Sequence, residues 1–477
     1  MLLRLAIMVA LPQPLMSYTD ANVYVRAAQE YLFRPLEGRT AGYPLFLRLS
    51  HDVSGSPTFP VVLQHLLSLV GGLLLYATAL AVRVPRAVAA VAAAVWLLSI
   101  DWLWLEHQLL TETLASALAM AALAALVLVP IRQRENQWVT AALVVLLGVG
   151  VGILAMSAGF VRPALFPVLP GVGLAALLLM RVSLKMRVLT STALVLTCLV
   201  MLLGYLHEQE KKTGFYGLVG SPPAQDLGGY PGVAPFAQCS KFKVPRGTRS
   251  LCENTPADSR PGSDYYYWDG SSPGRKLLAA HPNLNASIKL WATRAAAAQS
   301  GDVWGTQVTA FQRLFGFGGL VRPVTDQGTQ ILNLKGADAG PAAVAVDAIN
   351  AYYGPGSAPN KPARAPWGAL TALQPITRPS GLVLVLFGLV LLAGVAFGRG
   401  IGRRAAIAFG AAGWVPALYA TYAGGLFNWR YVVPSVPVIA LAAAAAVAAL
   451  LARRGTAGSE RTRRMAADAA PVGSGGW

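Results

Sequence analysis

Apolar runs of about twenty residues alternate with short polar gaps along most of the chain, and that pattern sets the fold class. A run of roughly 18 or more apolar residues can cross the hydrocarbon core of a bilayer as a helix. The pattern predicts about ten spans, near 2–16, 59–82, 87–105, 112–130, 138–157, 164–180, 188–206, 379–397, 405–423 and 432–451. The first, "LRLAIMVALPQPLM", is broken by Pro12 and Pro14 and offers only about 14 residues where about 20 are needed. No small-residue cleavage pattern precedes Ser17, so the expectation is a helix that has lost part of its start.

Composition supports this reading. Of 477 residues, 55% are hydrophobic and only 13% charged, which excludes an ordinary soluble protein. The net charge of +18 brings nucleic acid to mind, but its placement does not fit. Arg83 and Arg86, Arg132 and Arg134, Arg181, Lys185 and Arg187, Arg399, Arg403 and Arg404, and Arg453 and Arg454 sit in short gaps beside apolar runs. Loops of that kind stay in the cytoplasm. Both termini are then inside, and the first polar patch faces outward, as does the stretch 207–375.

The expected architecture is an all-α polytopic membrane protein with a mixed, loop-rich outer domain inserted after the seventh span. Residues 1–206 form a membrane module whose first outer loop is 17–58, 207–375 an extracytoplasmic domain, and 376–452 the C-terminal membrane helices. Residues 453–477 read as a disordered cytoplasmic tail. Within the outer domain, helices are expected near 284–300, 303–315 and 341–353. Cys239 and Cys252 are the cysteines of that domain, while Cys198 lies in an apolar span. An oxidising compartment favours a 239–252 disulfide, the alternative being two separate thiols.

The first outer loop holds the candidate chemistry. Apolar side chains recur at Val23, Tyr24, Ala27, Ala28, Tyr31 and Leu32, the spacing of an amphipathic helix lying on the membrane surface. Asp20 or Thr19 stands at its N-cap, and capping alone would account for an acid there. A carboxylate at the bilayer rim is also placed to take a proton from an attacking hydroxyl. Arg162 and Arg430 fall at outer edges, against the positive-inside trend. With Arg39 they could clamp a phosphate through guanidinium forks, or they could snorkel into the headgroup layer beside interfacial aromatics. Asp101, Glu106, His107 and Glu112 surround the turn between the third and fourth spans, where ionisable groups tend to face a polar cavity or a partner. The run Tyr265-Tyr266-Tyr267-Trp268 could stack on a sugar ring, but packing of a small loop-rich domain explains it better.

The stretch "YTDANVYVRAAQEYL…GRTAGYPLFL" resembles the first outer loop of GT-C glycosyltransferases, membrane enzymes that use polyprenyl-phosphate sugars and include protein O-mannosyltransferases and lipid A aminoarabinose transferases. "LLTETLA" at 109–115 resembles their acidic motif opening the fourth span, and "FNWRYVVPSVP" at 427–437 their Arg-Tyr and proline signature. The Cys239–Cys252 stretch looks like uncharacterised actinobacterial proteins of this type. The resemblance implies Asp20 as the catalytic residue, with Arg39, Tyr43 of the Gly42-Tyr43-Pro44 turn, Glu112 and Arg430 binding substrate; Arg162, as an outer-edge cation, is a candidate to join them.

It further implies an inverting glycosyltransferase in the cell membrane, moving a sugar from a polyprenyl-phosphate donor to an extracytoplasmic glycan, lipid or protein. Asp20 is followed by Ala21 where many relatives carry a second acid. A divalent cation, which wants several oxygen ligands, is therefore disfavoured, and no cofactor is firmly implied. The competing expectations are a transporter or lipid flippase, which would show related halves and midplane polar residues, and a non-catalytic envelope scaffold.

Overall fold

The computed structural model describes residues 2–15, 20–29, 39–131, 136–214, 216–218, 227–315, 343–358, 372–373, 377, 381–423 and 429–468. Among these residues the regular structure is helical, with an isolated parallel bridge between Leu15 and Gln108. The N-terminal part contains α1 (Leu2–Ala10), α2 (Asp20–Gln29), α3 (Gly42–Val53), α4 (Thr58–Ala81), α5 (Arg86–Leu97), α6 (Ile100–Glu106), α7 (Glu112–Leu128), α8 (Gln137–Val161), α9 (Val168–Leu179) and α10 (Leu184–Thr213). Short helices follow: α11 (Tyr230–Val233), α12 (Ser263–Trp268), α13 (Pro273–Ala280), α14 (Asn285–Ala298), α15 (Ser300–Leu314) and α16 (Ala343–Tyr353). The chain then forms α17 (Gly381–Phe397), α18 (Gly400–Ala423), α19 (Trp429–Val432) and α20 (Val436–Asp468).

Among the described residues, four helical segments are long and apolar enough to cross a membrane: α4, α8, α10 and Arg430–Arg453. The pair α5–α6 qualifies as a fifth when counted as one span, bent by 49°. Glu112–Leu128, Pro163–Leu179 and Gly381–Phe397 are shorter apolar helices. Large aliphatic side chains stay exposed on several of them, such as Leu196, Val200 and Leu203 on α10 and Leu382, Leu386 and Leu389 on α17. Exposed stripes of that kind suit a lipid surround. The chain is an all-α membrane protein.

The helices meet along small residues. Gly148 on α8 faces α10 so closely that a β-carbon would fall 2.5 Å from the Thr190 carbonyl oxygen, and one on Gly152 would fall 2.9 Å from Thr197 Cβ. Small residues four apart let two backbones approach where lipid supplies no hydrophobic drive.

Helix directions separate two ends of the bundle. Arg181 donates to the carbonyl of Ala81, so the α4–α5 and α9–α10 junctions share one end. The Arg399 N–H donates to the carbonyl of Ala449, far along α20. These junctions carry Arg83, Arg86, Arg181, Arg187, Arg399, Arg403 and Arg404. The opposite end receives the C-terminus of α8 and the N-termini of α7 and α20.

Residues 227–315 build a second apolar core from Leu227, Tyr230, Leu251, Tyr266, Leu278, Ile288 and Trp291. The Cys239–Cys252 disulfide is present, with Cα atoms 5.7 Å apart, and Cys198 is a buried free thiol. Tyr266 is fully buried and its hydroxyl donates to Glu253 Oε2 at 2.5 Å, so this part of the aromatic run packs.

Four local expectations need correction. Gly42-Tyr43-Pro44 opens helix α3 and is not a turn. Ala21, Tyr24, Val25, Ala27 and Ala28 of α2 are buried against α3 and α16, so that face meets protein where a bilayer surface was expected; Tyr31 and Leu32 lie outside the described residues. The span expected over 87–105 breaks at Leu98-Ser99. α20 runs on to Asp468, past the point where the sequence suggests that the tail begins.

Candidate functional site

Asp20 is the first residue of α2, and α2 is held in place from two sides. Tyr24, one turn on, meets the Tyr43 ring edge-on, with centroids 5.1 Å apart. Gly42, before Tyr43, sits against the backbone at the end of α8, where a β-carbon would lie 2.5 Å from the Phe160 carbonyl oxygen. Thr40 donates its hydroxyl to that same oxygen. On the other side, α16 packs against α2, and Tyr352 stacks on His51 of α3 at 4.5 Å.

These contacts bring Asp20 to the helix ends that carry the other charges. Its Oδ1 accepts from Arg39 and its Oδ2 from Arg430 Nη1 at 2.6 Å. Arg430 also donates through Nε to Glu112. Glu112 in turn binds Arg162 Nη1 at 2.9 Å. Arg162 reaches Thr111 Oγ1 at 2.8 Å and the Arg430 carbonyl at 3.2 Å. The Arg39 guanidinium lies over Tyr24 at 5.7 Å, and that of Arg162 over Tyr431 at 5.3 Å. Every residue expected to take part in the site is therefore in one constellation, Tyr43 included through its ring.

The local chain explains the placement. Arg162 ends α8 and is followed by Pro163, which starts a 3-10 turn and cannot continue the hydrogen-bond ladder. Glu112 opens α7, where the dipole favours an acid. Ser116, one turn later, donates to the carbonyls of Glu112 and Pro434 at 2.8 and 3.1 Å. That links α7 to the turn carrying Arg430.

Glu112 is fully buried, and Arg162 and Arg430 are 5% and 4% exposed, so these arginines do not snorkel. The Asp20 side chain keeps 22% of its surface, and the constellation thus opens at Asp20. Burial opposes ionisation of Asp20, but the charges of Arg430 and then Arg39 outweigh it, lowering its carboxyl from 3.8 to about 2. Two carboxylates and three guanidinium groups leave one positive charge in excess among these five. Guanidinium forks of this kind match the oxygens of a phosphate. Among the described residues, no three His, Cys, Asp or Glu side chains come together as a metal site would require.

Glu106 and His107, expected beside Glu112, belong to a separate buried network. Glu106 takes two hydrogen bonds from Arg4, at Oε1 and Oε2, each 2.8 Å. His65 Nδ1 lies 2.8 Å from Glu106 Oε2. Asp101 is buried in α6. The two networks join through Gln64, whose Oε1 accepts from Tyr43 and whose Nε2 donates to the carbonyls of Glu106 and Gln108. Sequence reading passed over Arg4, Gln64, His65 and Thr111. A usable signal was present in Gln64, His65 and Ser68, polar residues spaced along one face of an otherwise apolar span.

The chain matches no known family model, and neither the curated proteins nor the solved structures contain a match to it.

Proposed function

We propose that this chain is a GT-C-type inverting glycosyltransferase of the cell membrane, with about ten spans, both termini in the cytoplasm and 207–375 outside. The observation that carries the reading is the convergence of Arg39, Arg162 and Arg430 on Asp20 and Glu112 at one end of the bundle. That end lies opposite the basic junctions, and short basic loops stay in the cytoplasm. The constellation then faces the outer leaflet, where a polyprenyl-phosphate sugar and an extracytoplasmic acceptor would meet.

The acceptor hydroxyl oxygen attacks the anomeric carbon, the bond from that carbon to the phosphate oxygen breaks, and polyprenyl phosphate leaves with the electron pair. Arg39 and Arg430 stabilise the charge that develops there, often the largest catalytic contribution. Asp20 takes the hydroxyl proton. Paired with two arginines its carboxyl sits at about 2, too low for an effective base. A donor phosphate competing for the same guanidinium groups restores the basicity when a substrate is in place. Glu112, buried deeper, keeps Arg162 and Arg430 aligned.

The test is a transfer assay on purified protein with a panel of radiolabelled polyprenyl-phosphate sugars, following release of polyprenyl phosphate. Donor consumption that depends on Arg39 and Asp20 is expected. Movement of intact lipid between leaflets with no bond cleavage would replace this reading with a flippase.

A further inference from the structure

The two buried histidines cannot both be neutral if their hydrogen bonds are all made. His65 faces Glu106 through Nδ1 at 2.8 Å and His107 Nδ1 through Nε2 at 3.2 Å. His107 Nε2 faces the carbonyl oxygen of Gln13 at 3.1 Å. The two ends of this relay only accept. Gln13 offers a peptide carbonyl, and Glu106 is a carboxylate because Arg4, which keeps its proton in proteins, donates to both of its oxygens. Each end needs one imidazole N–H and the contact between the rings needs a third. Two neutral imidazoles carry two.

We propose that His65 and His107 form a buried proton-binding site that holds one proton beyond the neutral pair at pH 7. With the proton on His65, that ring donates to both Glu106 and His107, and His107 donates to Gln13. Moving one proton along the inter-ring contact places the charge on His107 without breaking a hydrogen bond. The charged groups facing the pair are Arg4 from α1 and Glu106 from α6. Ser68, from α4, accepts from Arg4 at 3.3 Å.

The proton ties the start of the chain to the turn before α7. Gln13 is held by the ring of His107, and the Leu15 N–H donates to the His107 carbonyl at 2.8 Å. The same turn delivers Thr111 and Glu112 to Arg162. Loss of the proton leaves two N–H groups for three bonds, so one connection among Glu106, the rings and Gln13 must open.

The experiment uses the full chain in detergent micelles, labelled with nitrogen-15 in its histidine rings. His51, His207 and His281 are replaced by Gln, leaving four labelled ring nitrogens. One-bond nitrogen–proton couplings at pH 7 then count the protonated ones. Three are expected, and two or four would overturn the proposal. In a second sample the same background carries His107→Gln, whose amide can accept from His65 and still donate to Gln13. His65 should then show both nitrogens protonated, and a single protonated nitrogen would overturn the proposal.

Discussion

Arg430 lies between two carboxylates that differ in burial, and substitutions should tell them apart. Glu112 is fully buried between Arg162 and Arg430. Glu112→Gln strips the neutralising charge from two buried cations, so a loss of about 3–5 kcal/mol is expected, read as a large fall in thermal stability in detergent. Asp20 sits at the opening. Asp20→Asn keeps its size and one acceptor oxygen but not its basicity, and sugar transfer should fall about 10²–10⁴-fold with near-normal folding. Turnover close to wild type would remove Asp20 as the base. The same carboxyl sets an acid limit. It is lowered in the folded chain from 3.8 to about 2, so its ion pairs stabilise fully above about pH 4 and are lost as pH falls towards 2. Over that window wild type should lose up to about 2 kcal/mol more stability than Asp20→Asn, and acid titration of melting temperature for the two proteins checks it.

At the scale of elements, glycine position decides where backbones touch. Gly148 faces Thr190 across the α8–α10 contact, whereas a β-carbon on Gly150 meets nothing within 4 Å. Gly148→Leu should therefore cost at least about 1–3 kcal/mol through overpacking, and Gly150→Leu on the same helix should be tolerated; comparable melting of the two variants would contradict the packing. Much of this level was legible from the chain. The helices expected near 284–300, 303–315 and 341–353 occur at Asn285–Ala298, Ser300–Leu314 and Ala343–Tyr353. Arg162 and Arg430 stood out as cations at outer edges of apolar spans, and Asp20, Arg39 and Glu112 through short motifs that resemble a known family. What stayed hidden depends on contacts between distant segments. Arg4 and Glu106 are 102 positions apart, and neither says which partner will neutralise it. Hydropathy also ends α10 too early, since "HEQEKKT" is polar yet continues the helix to Thr213. Nor does periodicity reveal that α2 turns its apolar face to α3 and α16, because a protein partner and a lipid surface select the same spacing.

For the whole molecule, the proposed orientation has a direct check. Cys239 and Cys252 are joined and Cys198 is buried, so added cysteines would report with little background. An impermeant maleimide applied to intact cells should label Ser271→Cys and miss Ser459→Cys. The reverse pattern would put the arginine constellation on the cytoplasmic face and end the case for an outer-leaflet donor.

The constellation draws on residues from Asp20 to Arg430, nearly the full length of the chain. Synthesis proceeds from the N-terminus, so a growing polypeptide contains Asp20, Arg39, Glu112 and Arg162 long before Arg430 exists. Those four groups balance, two negative against two positive. The surplus positive charge arrives only when the helix led by Arg430 is inserted and packed. A chain stalled or clipped before that point would hold balanced charge among these four groups, so on the proposed reading the segment led by Arg430 supplies the net positive charge that a donor phosphate would meet.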